Sequence, residues 1–179
     1  MKAITLYQPW ATLIAIGAKT VETRSWSTTY RGPLAIHAAK RRAEHEKIGE
    51  WYIEPAWITV DGALDGMAKM SHAAFRVPLP LGTVVATCEL VDVVPMVTDV
   101  RQAPGAPVVL DLTAGRFVRN GGHVAGWSEQ ETAARNDHLH TQYAYGHFAV
   151  GRYAWMLENV EGVDPVAVAG HQRLWEWPS

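Results

Sequence analysis

A chain of 179 residues with a formal net charge of -2 has the size of one domain, about 100–200 residues, and buries its core without disulfides or metals as staples. The near-neutral total excludes a histone-like polycation, and the single cysteine, Cys88, excludes an intrachain disulfide and a cysteine-built zinc site. The charge is nevertheless uneven: residues 1–47 carry eight basic and three acidic side chains, a balance of +5, against -7 for the remainder, which points to a local anionic partner. The longest early uncharged run, Ala3–Ala18, has 16 residues, short of the roughly 18 that suggest a membrane span. Thr5, Tyr7, Gln8 and Pro9 interrupt what would otherwise resemble a signal peptide. With one cysteine and neither kind of segment, a cytoplasmic protein is expected.

In chain order, Ala3–Tyr7 alternates as a short strand. Pro9 suits the first turn of a helix, where its missing N–H costs nothing. Trp10, Leu13, Ile14 and Gly17 then mark one helical face, with Gly17 as its stop. Lys19–Trp26 reads as a strand, and Leu34–Ala38 as a second with Leu34, Ile36 and Ala38 on one side. Arg41–Ile53 has helical composition. The loose stretch from Glu54 to Pro80 predicts one helix around Gly66–Phe75, and Gly82–Val94 is the clearest strand. Residues 95–122 are dominated by turn formers. Ser128-Glu129-Gln130-Glu131 has the form of a capping box and predicts a helix from Glu129 to about Leu139. Gly151–Val160 and Val166–Ala169 complete the strands. Strands that do not alternate regularly with long helices predict an α+β fold with a small curled or barrel-like sheet.

The densest chemistry lies early. On a strand, Thr20, Glu22, Arg24 and Trp26 share one face, while Lys19, Val21, Thr23 and Ser25 share the other. Glu22 and Arg24 are therefore neighbours, either a structural ion pair or part of a site. Eight tryptophans against three phenylalanines suit a core, and equally a cleft that stacks planar ligands.

The run Gln8-Pro9-Trp10-Ala11, followed by Gly17-x-Lys19-x-x-Glu22-x-Arg24 and Tyr30-Arg31-Gly32, closely resembles the ASCH domain of the PUA-like superfamily, as do Gly151-Arg152-Tyr153-Ala154-Trp155 and the closing Gly170 and Leu174-Trp175-Glu176. The resemblance implies a single domain over residues 1–179, a small PUA-like β-barrel with flanking short helices and insertions at 54–80 and 99–146. It also implies a cleft for RNA, single-stranded nucleic acid or a modified nucleoside, lined by the motif, with Trp10 and Trp26 as stacking rings.

Some similar bacterial proteins are amidohydrolases acting on N4-acylcytidine through the motif lysine, a threonine three positions on and a distal glutamate; others are linked to ribonuclease activity. Here Lys19 matches the lysine, but Glu22 stands where the threonine would. A catalytic base lysine needs its pKa lowered by about 3 units, and a nearby carboxylate favours the charged form instead. Lys19 therefore reads as a fixed positive charge, with Glu22 as the base if the protein is an enzyme. Glu129 and Glu131 lie in the region of the distal glutamate, and the capping box explains them without catalysis.

Arg31 and Lys40-Arg41-Arg42 suit phosphate contacts. His37, inside a strand, is either a cleft hydrogen-bonding group or a structural residue. His138, His140, His147 and His123 are read as exposed loop histidines, and neither metal nor cofactor is expected. Three readings follow: a binding module for RNA or a modified nucleotide at Trp10, Lys19, Glu22, Arg24, Trp26, Arg31 and His37; a hydrolase at the same cleft using Lys19 and Glu22; or a protein-interaction module built on the tryptophan-rich surface.

Overall fold

The computed structural model describes residues 1–41, 47–48, 51–53, 57–60, 75–119 and 127–178. Among the described residues, twelve strands and two α-helices follow one another: β1 (Lys2–Leu6), α1 (Trp10–Ala15), β2 (Val21–Arg24), β3 (Gly32–Ala38), β4 (Lys47–Ile48), β5 (Trp51–Ile53), β6 (Trp57–Val60), β7 (Phe75–Pro78), β8 (Thr83–Val97), β9 (Val108–Asp111), β10 (Arg116–Arg119), α2 (Glu129–Gln142), β11 (Tyr153–Ala167) and β12 (Leu174–Glu176). The expected α+β class holds as a mixed, strand-rich sheet with few helices. Its strand path ends at β10 and β12. Among the described residues that path is not closed into a ring, so the pairing carries the mixed sheet and not the closure.

The chain falls into two compact units: residues 1–19, 32–89 and 158–179 in the first, 20–31 and 90–157 in the second. β8 and β11 give residues to both.

In the first unit β1 lies between parallel β3 and antiparallel β12, with Ala3 opposite both Ala35 and Trp175. β3 is buried from Leu34 to Ala38, the near-continuous apolar run of a strand covered on both faces. One face carries Ala3 and Ala35 into a cluster with Val84 and Trp175, against Val163, Val168 and Trp177. Alternation turns Ile4, Leu34 and Ile36 to the opposite side. Cys88 on β8 is also buried; its thiol donates to the Leu34 carbonyl at 3.4 Å, and burial, then Glu89, push its pKa up to about 12.

A second sheet of this unit runs β4-β5-β6-β7, antiparallel throughout. Here the expectations fail. β4 and β5 occupy residues 47–48 and 51–53, where a helix over Arg41–Ile53 was expected, and β6 and β7 fall in the stretch read as irregular. Short strands with Trp51, Tyr52, Ile53, Trp57, Ile58 and Val60 have β-branched and aromatic composition, which outweighs the helix-forming charges before them. The helix expected around Gly66–Phe75 lies outside the described residues except for Phe75, which opens β7, and Arg42 and His123 lie outside them as well.

In the second unit β2 pairs antiparallel with the start of β11, and β8 pairs parallel with β9, which forms a hairpin with β10. The hairpin was hidden among the turn formers of 95–122. Asp111 Oδ1 accepts the Thr113 and Ala114 N–H groups at 2.9 and 3.1 Å, and Gly115 takes φ +64°, a conformation that favours glycine. α2 begins with the expected capping box, Ser128 Oγ accepting from Glu131 N and Glu131 Oε2 from Ser128 N. It runs three residues past the expected end because no breaker precedes Gly146. Its buried stripe is Thr132, Leu139 and Gln142. Asn136 binds both backbone groups of Phe117 on β10, and Leu139 joins Val21, Met96, Leu110, Phe117, Trp127 and Met156 in the core. Near the C-terminus the expected strands at 151–160 and 166–169 are one, β11, and the last strand is β12.

Candidate functional site

The motif region begins at a helix that its own first residue cannot cap. Gln8–Pro9 is a cis peptide bond, and Pro9, at the cap position, offers no side-chain hydrogen bond. The preceding Gln8 supplies it: its buried amide oxygen accepts the Thr12 N–H at 3.1 Å, and its amide nitrogen donates to the Pro80 carbonyl at 2.8 Å. α1 buries Ala11, Leu13 and Ile14, leaves Trp10 half-buried, and stops at Gly17, whose φ of +77° suits glycine at a helix end. The chain then turns back, Lys19 N donating to Leu13 O at 3.0 Å. Lys19 is 0% exposed, not the surface lysine that spacing alone allows, and a lysine buried so completely is held by polar partners.

After Lys19 the chain enters the second unit as β2. Gln142 at the end of α2 fixes this entry: its side-chain oxygen accepts both Thr20 N–H at 2.9 Å and Val21 N–H at 3.2 Å. The antiparallel register sets Glu22 opposite Trp155, Arg24 opposite Tyr153 and Thr23 opposite Ala154. Val21, Ala154 and Met156 thereby face the core, and Glu22, Arg24, Tyr153 and Trp155 share the other side, as alternation requires. Arg24 Nε lies 3.2 Å from Glu22 Oε1 in a largely buried ion pair. Trp155 is fully buried, a wall residue and not a stacking surface. It meets the half-buried Trp26 edge to face at 4.7 Å, and its indole N–H donates to the Trp26 carbonyl at 3.4 Å. Thr23 is buried on the inner side, where its hydroxyl accepts the His147 N–H at 3.0 Å.

Arg31 is exposed and already engaged, donating to the Thr28 and Tyr30 carbonyls and pairing with Asp92 at 2.9 Å. Lys40 and Arg41 are exposed. His37, in the first unit, is 1% exposed. Its Nε2 donates to the Val168 carbonyl at 3.1 Å, its ring meets Trp175 edge to face at 5.7 Å, and Gly170 covers it so closely that a Cβ there would overlap Cε1. Burial lowers its pKa, the Val168 bond raises it in part, and His171 lowers it. His138 and His140 lie on α2 and not in a loop, and two positions along a helix point to different sides. Among the described residues no group of three His, Cys, Asp or Glu side chains is placed to hold a metal ion, and no helix is long and apolar enough to cross a membrane.

Gln8 and Gln142 are the residues that composition did not single out. Gln8 opens the Gln8-Pro9-Trp10-Ala11 run and precedes a proline that cannot cap; Gln142 carried no signal, because the backbone it serves is 122 residues away in sequence.

A mixed sheet with few helices, carrying an acid, a guanidinium and an indole along one short strand and its exit, places the chain in the α+β class. The chain matches the ASCH domain over residues 4–168, and it belongs to that family. Over 47 residues it is 43% identical to mouse (Mus musculus) and 40% identical to human (Homo sapiens) activating signal cointegrator 1. That stretch is 26% of this chain and 8% of each relative, so the chain spans less than two thirds of the curated relatives it matches. Among solved structures, a tyrosine-to-phenylalanine mutant of ZmASCH from Zymomonas mobilis aligns at 18% identity and a TM-score of 0.42, covering 93% of this chain and 75% of that one.

Proposed function

We propose that the chain binds RNA, another single-stranded nucleic acid or a modified nucleotide or nucleobase at its Gly17–Arg24 motif, in the kind of cleft that ASCH and other PUA-like domains imply. The observation that carries this reading is the face of β2 opposite Val21, where the largely buried Glu22–Arg24 pair at 3.2 Å lies on the side of Trp155 and its half-buried ring partner Trp26. A carboxylate accepts from amino and ring N–H groups of a base, a guanidinium donates to its carbonyl and ring nitrogen acceptors, and base stacking on an aromatic ring contributes about 1–3 kcal/mol. Lys19, two residues before this strand in sequence, is the fixed positive charge of this reading, and Arg31, in the same unit as the strand, offers a phosphate contact, while Trp10, Lys40 and Arg41 belong to the other unit. His37, enclosed by Gly170 and Trp175, belongs to the frame of the domain in this reading.

The test is a titration of labelled single-stranded RNA at low salt, followed by N4-acetylcytidine. Trp26→Ala and Arg24→Ala each weaken binding by about tenfold or more if stacking and base-edge contacts hold the ligand. Turnover of N4-acetylcytidine or RNA, lost in both Lys19→Ala and Glu22→Gln, makes the site a hydrolase. Neither binding nor turnover sinks the nucleic-acid reading and leaves a protein-interaction module.

A further inference from the structure

The end of the β2–β11 pair holds a cation that the base-binding face does not use. The register stops at Arg24 opposite Tyr153, so Ser25 and Arg152 come next at the open end of the pair. Alternation turns Arg152 away from Arg24 and Tyr153, to the side of Thr23. Its guanidinium is half-buried. One terminal N–H donates to the Thr23 carbonyl at 3.1 Å, while Nε–H is buried with no acceptor among the described residues. Arg24, Arg31, Arg101 and Arg119 each pair with a carboxylate; among the described residues Arg152 has none within ion-pair distance. Its surroundings are fixed in place. Gly146 lies against Thr23 so tightly that a Cβ would fall 2.7 Å from Cγ2, and the His147 N–H is bound by the Thr23 hydroxyl. Ser25 is exposed.

A guanidinium removed partly from water without a counter-ion is destabilising. Its planar donors fit a phosphate better than any other common biological anion except a carboxylate. We propose that Arg152, with the Ser25 hydroxyl, forms an anion subsite at the open end of the β2–β11 pair that takes a phosphate group of the ligand whose base lies against Glu22, Arg24 and Trp26. The inference rests on the nucleotide reading above and sharpens it: phosphorylated nucleotides and RNA are the substrate class, and free nucleosides bind weakly.

Two measurements separate the inference from the reading beneath it. In the first, inorganic phosphate is titrated against the full chain while the Arg152 Nε–H resonance is followed by NMR, assigned by its loss in Arg152→Lys. In the second, the affinities of cytidine and N4-acetylcytidine are compared with those of their 5′-monophosphates, in the wild type, Arg152→Gln and Arg152→Lys, each checked by thermal melting. The expected result is a saturable shift with phosphate and a monophosphate preference of about tenfold. That preference disappears in Arg152→Gln and returns in part in Arg152→Lys, which keeps charge but not the fork. Nucleosides that bind as well as their monophosphates, or a resonance that phosphate does not move, overturn the subsite while the nucleotide reading stands. A resonance that phosphate moves, in a protein that binds no nucleoside, nucleotide or RNA, upholds the subsite and overturns that reading.

Discussion

Gly170 and His37 share a space that admits one of them only without a side chain. A Cβ at 170 would overlap Cε1 and Nδ1 of the imidazole and fall 2.9 Å from Thr5 Oγ1, and the ring cannot retreat because Val168 holds Nε2 and Trp175 lies against it. Gly170→Ala is expected to lose about 1–3 kcal/mol, the usual cost of overpacking a rigid site, measured by urea unfolding. The same enclosure sets a pH dependence. Burial, first, and the charge of His171 hold His37 below its ordinary value of 6.5, so the unfolded chain takes up the proton first. The stability this neutral ring allows is present above the ordinary value and is lost as pH falls from there toward the lowered folded value. The fall in Tm between about pH 7.5 and about pH 5.5 is therefore expected to be smaller in His37→Gln than in the wild type; an equal fall in both removes His37 as its source. At this scale the alternation of Glu22 and Arg24 on one side of β2 was legible from the strand period alone. The enclosure of His37 was not, since its cover comes from residues 168–175, and neither was the burial of Lys19, which no local pattern encodes.

α2 and the hairpin before it occupy the segment that the family resemblance marks as an insertion, and α2 holds the motif strand where it starts. A single amide oxygen, Gln142 Oε1, takes two backbone donors from Thr20 and Val21. Removing it takes an acceptor from the half-buried Thr20 N–H and the buried Val21 N–H, a loss of about 1–3 kcal/mol where a buried group is not satisfied elsewhere. Gln142→Leu is expected to lower stability accordingly and to speed hydrogen exchange at the Thr20 and Val21 amides, whereas Gln142→Glu, which keeps the acceptor, restores most of both. Unchanged exchange at those two amides in Gln142→Leu would show that the strand is held by other means. The helix itself could be read from Ser128 and Glu131, because a capping box is a local pattern. The hairpin could have been: Val108-Val109-Leu110 and Phe117-Val118 flank an Asp-to-Gly loop, the composition of a hairpin, but the surrounding Pro and Gly residues masked it. Strands β4 to β7 escaped for another reason. Each is two to four residues long, too short for a period to be told from chance.

At the scale of the whole molecule, the nucleic-acid proposal predicts a modest salt dependence. The basic balance of residues 1–47 covers the motif, Arg31, Lys40 and Arg41, and the acidic remainder keeps the total near neutral. A binder of this kind touches few phosphates. The slope of log affinity against log salt is expected to be about -2 for RNA held by three phosphate contacts, measured by anisotropy over a salt series. A slope several times steeper would mean an extended basic track instead. Membership in the ASCH family was legible because its motif is local in sequence, whereas the two-unit division of the chain was not, since it depends on contacts between distant segments.

The edge-to-face contact of Trp26 and Trp155 also makes the protein its own optical probe. Two indoles held 4.7 Å apart at an interplanar angle of 81° couple their transitions, so the pair adds a circular dichroism couplet on top of the bands of the other tryptophans. Trp155 is locked in the interior and Trp26 is the half-buried partner, so a base that stacks on Trp26 turns only one ring of the pair. Ligand binding is then expected to change the couplet's amplitude without a change in the backbone bands, and Trp26→Phe to abolish the couplet altogether. A ligand could thus be sought without labels, by watching one pair of rings change their angle.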